Sequence, residues 1–125
     1  MKPFARSDRV SGQIQRALSD LLRKNIKDPR LEKVIITGVK MSRDLRLARV
    51  YFTMSDHMTS DTPEPQKEAA DGLKSARGFI KRTLAQQLGL RYMPDLRFYY
   101  DESFDYGEKI ETLLKNIKTD HEPDN

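Results

Sequence analysis

The sequence predicts a single α+β domain in which helices cover one face of a three-stranded β-sheet. Two segments, residues 10–26 and 73–88, repeat apolar residues at spacings of three and four, as one face of an α-helix requires. Three others, residues 34–41, 47–54 and 96–100, are β-branched or alternate apolar with polar residues, which is typical of strands. Because strands with one apolar face must bury it, the helices are expected on that face.

The first element is a helix predicted from Arg6 to Ile26. Ser7 or Asp8 is expected to cap it, because a short side-chain oxygen can accept a hydrogen bond from a free first-turn N–H. Asp28-Pro29 is expected to end it, because proline disfavours helical geometry in the residue before it. The apolar face consists of Val10, Ile14, Ala17, Leu18, Leu21, Leu22 and Ile26.

Three arginines recur every seven residues along this helix, a spacing that returns each to nearly the same side. Arg9, Arg16 and Arg23 therefore predict a cationic ridge roughly 20 Å long at 1.5 Å rise per residue. Such a ridge is long enough to meet several phosphate groups of a nucleic acid.

A β-hairpin is predicted next. Its first strand is rich in β-branched residues, and Gly38 within it predicts a bulge or bend. Ser42-Arg43-Asp44 supplies turn chemistry, and the second strand alternates apolar with polar residues. The face of that strand expected to be buried carries Ala48, Val50, Phe52 and Met54.

Residues 55–65 are polar, contain two prolines and predict a mobile loop within the domain. His57 lies in this loop with no cysteine, second histidine or acidic ligand set beside it, so no metal site is expected there. Thr62 and Pro63 fit the N-cap and the first position of the following helix.

The stretch from Leu73 to Gly89 organises the rest of the chain. Gly78 lies in its middle, where glycine costs about 1 kcal/mol relative to alanine in a helix. We interpret Ser75, Ala76 and Gly78 as an interhelical kink between two helices, the alternative being one continuous helix that tolerates the glycine. Gly89 is expected to close the segment as a left-handed cap. The apolar face carries Leu73, Ala76, Ile80, Leu84 and Leu88.

A strand, a helix and a polar tail are predicted to end the chain. Leu96, Phe98 and Tyr100 share one side of the strand, and Arg97 and Tyr99 share the other. The domain is expected to span residues 1–118, with residues 119–125 as a flexible tail. The final helix is expected to begin at Ser103 and to have an apolar face of Tyr106, Ile110, Leu113, Leu114 and Ile117.

Composition excludes several classes of protein. There is no cysteine, which excludes a disulfide framework and a thiolate metal site. No apolar run approaches the roughly 18 residues of a membrane span and no apolar signal core opens the chain, so a cytoplasmic location is expected. Residues 1–49 carry 13 Lys/Arg against 5 Asp/Glu, and residues 74–97 carry 6 against 1. Cations segregated into blocks indicate a polyanionic partner, of which nucleic acid is the leading candidate.

No signature of catalysis is present, and neither enzymatic activity nor a cofactor is expected. Phosphate-binding glycine loops and the Gly-x-Ser-x-Gly motif are absent, and His57 and His121 lie in the predicted loop and tail. Asp101, Glu102 and Asp105 could hold Mg²⁺ in a metal-dependent nuclease. The preferred interpretation is that these carboxylates favour the N-terminus of the final helix, where backbone dipoles attract negative charge.

From about Arg9 to Leu114, an ordered series of short motifs resembles the bacterial ribosome-binding factor A family. The series begins with Arg9-Val10, Asp28-Pro29-Arg30-Leu31, Ile36-Thr37-Gly38-Val39, Ser42-Arg43-Asp44-Leu45 and Ala48-Arg49-Val50-Tyr51-Phe52. It ends with Gly78-Phe79-Ile80, Leu90-Arg91-Tyr92-Met93-Pro94-Asp95-Leu96-Arg97-Phe98, Asp101-Glu102-Ser103 and Gly107.

The resemblance implies a KH-like fold of type II order, with a C-terminal helix added. Other KH domains have a Gly-x-x-Gly loop that clamps the nucleic-acid backbone, whereas this family has an alanine–x–glycine kink at that point. The matching residues are Ala76-Arg77-Gly78.

The resemblance also implies a ribosome assembly factor that is not an enzyme. Members bind the immature small (30S) ribosomal subunit, contact its 16S rRNA and support late maturation, including processing of the 5′ end. They matter during growth in the cold and leave before translation, in concert with assembly GTPases. A monomer with no membrane association is expected.

The residues themselves predict an RNA-binding surface in which phosphate contacts position the protein and RNA shape supplies most selectivity. The first helix and its flank contribute Arg6, Arg9, Arg16, Arg23, Lys24, Lys27 and Arg30. The kink helix contributes Lys74, Arg77, Lys81 and Arg82, supported by Arg43, Arg46, Arg49, Arg91 and Arg97. The alternative function is a protein-interaction module that recruits a basic partner through the acidic final helix or the 55–65 loop.

Overall fold

A computed structural model describes residues 5–55, 63–103, 110–111 and 113–115. The elements in chain order are α1 (Ala5–Lys24), a 3₁₀ helix (Pro29–Leu31), β1 (Val34–Met41), β2 (Leu47–Met54), α2 (Glu64–Leu88) and β3 (Asp95–Tyr100). Residues 102–103, 110–111 and 113–115 are also helical. Most of the predicted 55–65 loop and the predicted 119–125 tail lie outside the described residues, as do His57, His121, Asp105, Tyr106 and Ile117.

The three strands form one sheet in the order β1-β2-β3, which confirms the predicted α+β class. β1 pairs with β2 antiparallel, as a hairpin requires. β2 pairs with β3 in parallel, because α2 carries the chain back across the sheet before β3 begins.

A β-bulge in β1 confirms the irregularity predicted at Gly38. Ile36 lies opposite Phe52 and Gly38 lies opposite Tyr51, so Thr37 is the extra residue. The bulge shifts the alternation of side chains by one position. Ile36 and Val39, three residues apart, can therefore both be buried under the helices.

Both long helices pack on one face of the sheet, as predicted. The apolar side chains of β2 and those of the two helices pack together there, and the largest buried ring is that of Phe52. The core consists of Ile14, Leu18, Leu21, Leu22, Leu31, Ile36, Val39, Ala48, Val50, Phe52, Met54, Ala69, Leu73, Ile80, Leu84 and Leu96.

The predicted interhelical kink at Ser75, Ala76 and Gly78 is wrong as a break between two helices. Residues 64–88 form one continuous α-helix, and Gly78 does not adopt a left-handed backbone conformation. The cost of one glycine, about 1 kcal/mol, is small beside the burial of Leu73 and Ile80 on either side of it.

Gly72, rather than Gly78, is the glycine on which packing depends. A Cβ at Gly72 would lie 3.0 Å from Cδ2 of Leu31, in the 3₁₀ helix. A Cβ at Gly78 would meet only the end of the Arg82 side chain, at 3.5 Å. The absent side chain at Gly72 therefore lets α2 lie directly against the 3₁₀ helix.

Two substitutions in the same helix are expected to have opposite effects on stability. Gly78→Ala should raise the free energy of unfolding by about 0.5–1 kcal/mol, because the position is exposed and alanine favours the helix. Gly72→Val should lower it by about 1–3 kcal/mol, because the side chain must displace Leu31. Urea unfolding followed by circular dichroism measures both. Gly78→Val is the matched control, and an equal loss at both positions would contradict the close approach at Gly72.

Several predicted helix ends differ in the structure. α1 begins at Ala5, so neither Ser7 nor Asp8 is its N-cap, and Asp8 lies in the first turn instead. α1 ends at Lys24, before Asp28-Pro29. Pro29 holds Asp28 in an extended conformation (φ −104°, ψ 117°). Asp28 then caps the 3₁₀ helix by accepting a hydrogen bond from the Arg30 backbone N–H at 3.0 Å.

The ends of α2 give one correction and one confirmation. The N-cap is Pro63 rather than Thr62, and the helix begins at Glu64. Gly89 is the predicted left-handed cap (φ 60°, ψ 30°), and its N–H donates to the Ala85 carbonyl at 3.1 Å.

Candidate nucleic-acid interface

The sixteen predicted RNA-binding residues lie in the described part of the chain and are distributed over several elements. Most lie on α1, on α2 or on the sheet face opposite these helices, which we call the open face of the sheet. A smaller group from three separate segments meets at one end of the molecule. That group lines one concave surface.

We call this surface the basic cleft, and it holds about 660 Å³. Arg6 enters it from the start of α1, Arg46 from the β1–β2 turn, and Arg91 with Tyr92 from the connection between α2 and β3. All four side chains are exposed. The remaining lining is mostly apolar and consists of Val10, Met41, Asp44, Leu45, Leu90, Met93 and Pro94.

The β1–β2 turn, which carries Arg46, is held by a local hydrogen-bond network. The Asp44 carboxylate accepts from the Ser42 hydroxyl at 2.6 Å and from the Arg46 backbone N–H at 3.1 Å. These two bonds, the Ser42 hydroxyl first, hold the pKa of Asp44 below its usual value. Leu45 adopts a left-handed conformation (φ 60°), which is unusual for a residue other than glycine. The turn is thus fixed by Asp44 rather than by a flexible glycine.

The α2–β3 connection presents an arginine and an aromatic ring together. The Arg91 guanidinium lies 5.4 Å from the centre of the Tyr92 ring, and Tyr92 is 77% exposed. The Asp95 N–H donates to the Arg46 carbonyl at 2.8 Å, which joins this connection to the hairpin turn. An exposed tyrosine beside a cation can stack on a base while the cation meets a phosphate. Tyr92 was not among the predicted residues, although its position next to Arg91 is the signal that identifies it.

The predicted ridge on α1 is present, and Arg9, Arg16 and Arg23 are all exposed. Arg16 and Arg23 line one shallow groove on the helix surface. Arg23 forms an ion pair with Asp20 one turn away. The positive charge of the ridge is therefore partly balanced at its C-terminal end, where Lys24 and Lys27 are also exposed.

Arg30 is engaged within the protein. Its guanidinium donates to both oxygens of Asp28, with a shortest distance of 2.8 Å. Hydrogen bonding in this pair lowers the pKa of Asp28 and raises the pKa of Arg30. The guanidinium fork links Arg30 to the residue that caps the 3₁₀ helix, and its contact with RNA stays a prediction.

On α2, the predicted cation Lys81 is half-buried and pairs with Asp95 at 3.3 Å. Burial acts to raise the pKa of Asp95. The hydrogen bond and positive charge of Lys81, with the charge of Arg77, lower that pKa by more, so it lies below its usual value. Lys74 and Arg82 are exposed on the same helix.

The open face of the sheet carries Arg49 and Arg97, which lie opposite each other in the β2–β3 ladder. Both are exposed, and the two strands on which they lie have Tyr51 and Tyr99 two residues further on. Arg43 lies in the β1–β2 turn and is exposed, but it does not line the basic cleft.

Within the described residues, no group of three His, Cys, Asp or Glu side chains is placed to hold a metal ion. Asp101 accepts hydrogen bonds from the hydroxyls of Thr37 and Ser103. It immediately precedes the helical residues 102–103. Across the part of the chain that is described, no helix is both long and apolar enough to cross a lipid bilayer.

Comparison with known proteins relates most of the chain to one family. The family model described as ribosome-binding factor A matches residues 6–114. A ribosome-binding factor A of Desulfatibacillum aliphaticivorans is 52% identical over 117 residues, covering 94% of this chain and 91% of that protein.

Solved structures agree with this relationship. The solution NMR structure of a Thermotoga maritima protein superposes with a TM-score of 0.66 at 36% identity, covering 82% of this chain and 92% of that one. The Thermus thermophilus ribosome-binding factor A, a homology model fitted into a cryo-EM map of its complex with the 30S subunit, shares the fold. Its TM-score is 0.57 at 24% identity, covering 74% of this chain and 91% of that one. The chain belongs to the ribosome-binding factor A family.

Proposed function

We propose that this protein binds the immature small ribosomal subunit through its 16S rRNA and supports late maturation, including processing of the 5′ end. It acts without catalysing a reaction, as a cytoplasmic monomer. It leaves before translation begins, in concert with assembly GTPases.

The observation that carries the proposal is the basic cleft. Three arginines that are distant in sequence meet there beside an exposed tyrosine, and the one carboxylate in the lining, Asp44, is committed to the turn. Exposed guanidinium groups bind phosphates, and a neighbouring aromatic ring can stack on a base. Family membership and the 30S complex of the Thermus thermophilus relative support the small subunit as the RNA-bearing partner.

The proposal is tested by measuring the affinity of the purified protein for immature and mature small subunits across a salt series. Tighter binding to the immature particle is expected. The logarithm of the affinity should fall with the logarithm of salt concentration by roughly 0.7–0.9 for each phosphate contact, because bound cations are released. Equal affinity for both particles would contradict the assembly role, and no binding to either would contradict ribosome binding altogether.

A protein-interaction function has one observation in its favour. Ile110, Leu113 and Leu114 belong to helical residues near the end of the described chain and are 37–58% exposed. An exposed apolar helix face can contact a protein partner. Binding to ribosomal particles that persists after RNase treatment would favour this second function.

A further inference from the structure

The open face of the sheet carries a row of three cations. Lys40 lies opposite Arg49 in the β1–β2 ladder, and Arg49 lies opposite Arg97 in the β2–β3 ladder. All three side chains are exposed. Neighbouring strands are about 4.8 Å apart, so the row spans roughly 10 Å across the sheet.

The adjacent row consists of Gly38, Tyr51 and Tyr99. The two tyrosine rings have centroids 5.8 Å apart and planes tilted by 31°, and Tyr99 is 41% exposed. Lys40 Nζ lies 5.9 Å from the centre of the Tyr51 ring, which brings the two rows into contact. We call Lys40, Arg49, Tyr51, Arg97 and Tyr99 the sheet patch.

Gly38 leaves space beside the rings. A Cβ built at Gly38 would meet no atom within 4 Å, so the β1 residue paired with Tyr51 places no side chain against its ring. No carboxylate belongs to either row. The sheet patch is thus a positively charged surface with adjoining aromatic rings.

We propose that the sheet patch binds unpaired nucleotides of single-stranded RNA. The bases stack on Tyr51 and Tyr99, while Lys40, Arg49 and Arg97 contact the phosphates that join them. A row of cations beside a row of aromatic rings matches a single strand, whose phosphates follow the backbone and whose bases project to one side of it. The inference rests on the proposed RNA-binding function and assigns to it a second site, which shares no lining residue with the basic cleft.

The test measures binding of fluorescein-labelled single-stranded oligouridylate of about eight nucleotides by fluorescence anisotropy. Tyr51→Leu and Tyr99→Leu retain apolar bulk but lose the aromatic face, whereas Tyr51→Phe and Tyr99→Phe retain it. Each leucine variant is expected to bind roughly 5- to 150-fold more weakly with an unchanged salt slope. The phenylalanine variants should bind like the native protein. Arg97→Gln should lower the salt slope by about 0.7.

An oligonucleotide with two abasic positions at its centre provides a test that needs no variant. It keeps the phosphates and loses the bases, so the native protein should bind it more weakly than the intact strand. Phe79→Leu, at an exposed ring of α2 outside the sheet patch, is the control and should leave binding unchanged.

Three outcomes would overturn the proposal. They are equal binding by the leucine and phenylalanine variants, equal binding of intact and abasic strands, and no binding of the native protein at low salt. Equal binding of the intact and abasic oligonucleotides is also the result expected if the sheet patch binds an acidic protein segment, because only the negative charges would then be recognised. Failure of the proposed function is seen separately, as loss of preference for immature subunits while oligouridylate binding persists.

Discussion

Replacing Phe52 with alanine is expected to lower the free energy of unfolding by about 3–5 kcal/mol. Phe52 is 1% exposed and lies in β2, the central strand, beneath both long helices. Its ring packs edge-on against Tyr100, with centroids 5.6 Å apart and planes at 87°. Alanine would lose the burial of the ring and this contact, and it would leave a cavity that the rigid sheet cannot fill. A domain of this size has a total stability of about 5–15 kcal/mol, so the loss is a large share of it.

Urea unfolding followed by circular dichroism measures this effect, and Phe79→Ala provides a matched substitution. Phe79 is 43% exposed on α2, so its loss should change stability by about 1 kcal/mol or less. Comparable losses for the two variants would show that Phe52 does not lie at the centre of the core.

The two faces of β2 could be predicted from the sequence because side chains alternate along a regular strand. Ala48, Val50, Phe52 and Met54 are buried as the alternation of β2 required. The alternation in β1 is reset by the bulge, and only Gly38 marks that point in the sequence. The pairing of β2 with β3 involves residues nearly fifty positions apart. Local sequence patterns therefore do not predict which residues of these two strands lie opposite each other.

The role of the glycines in α2 could not be predicted, because it depends on contacts with another segment. Gly78 stands in the sequence as the helix breaker, yet the surrounding burial maintains the helix through it. No sequence pattern identifies Gly72 as important. The short distance from a Cβ at this position to the Leu31 side chain shows why a larger residue is excluded there. Helix propensity gives the free-energy cost of placing a residue in a helix, whereas tertiary packing determines whether the helix forms despite that cost.

The cationic character of the candidate interface was evident in the sequence, but its arrangement was not. Arg46 lies 40 residues after Arg6 and 45 residues before Arg91. The three meet only because the start of α1, the hairpin turn and the α2–β3 connection lie together. Lys81 belongs to the predicted RNA-binding cations, and the structure pairs it with Asp95, so its contact with RNA stays a prediction. The spacing of residues along a helix does not predict ion pairs between separate segments of the chain.

Replacing Arg6, Arg46 and Arg91 together by glutamine is expected to weaken binding to immature small subunits by about two orders of magnitude at 0.1 M salt. Each phosphate contact contributes roughly 0.7–0.9 to the slope of log affinity against log salt concentration. Three lost contacts should therefore lower the slope by about 2–3 and the affinity at 0.1 M by about as many decades. The three side chains are exposed, so the fold should be retained.

A control with the same change in net charge separates the basic cleft from the general charge of the protein. Lys33, Lys67 and Lys115 are exposed and lie outside the basic cleft and the predicted RNA-binding set. Their replacement by glutamine should change the salt slope by much less than the roughly 0.7–0.9 that one phosphate contact contributes. Long-range attraction is screened beyond roughly 10 Å at 0.1 M salt. If the two triple variants lose affinity equally, net charge rather than the basic cleft governs binding. If only the arginine variant loses affinity and slope, the phosphates of the RNA lie in the basic cleft.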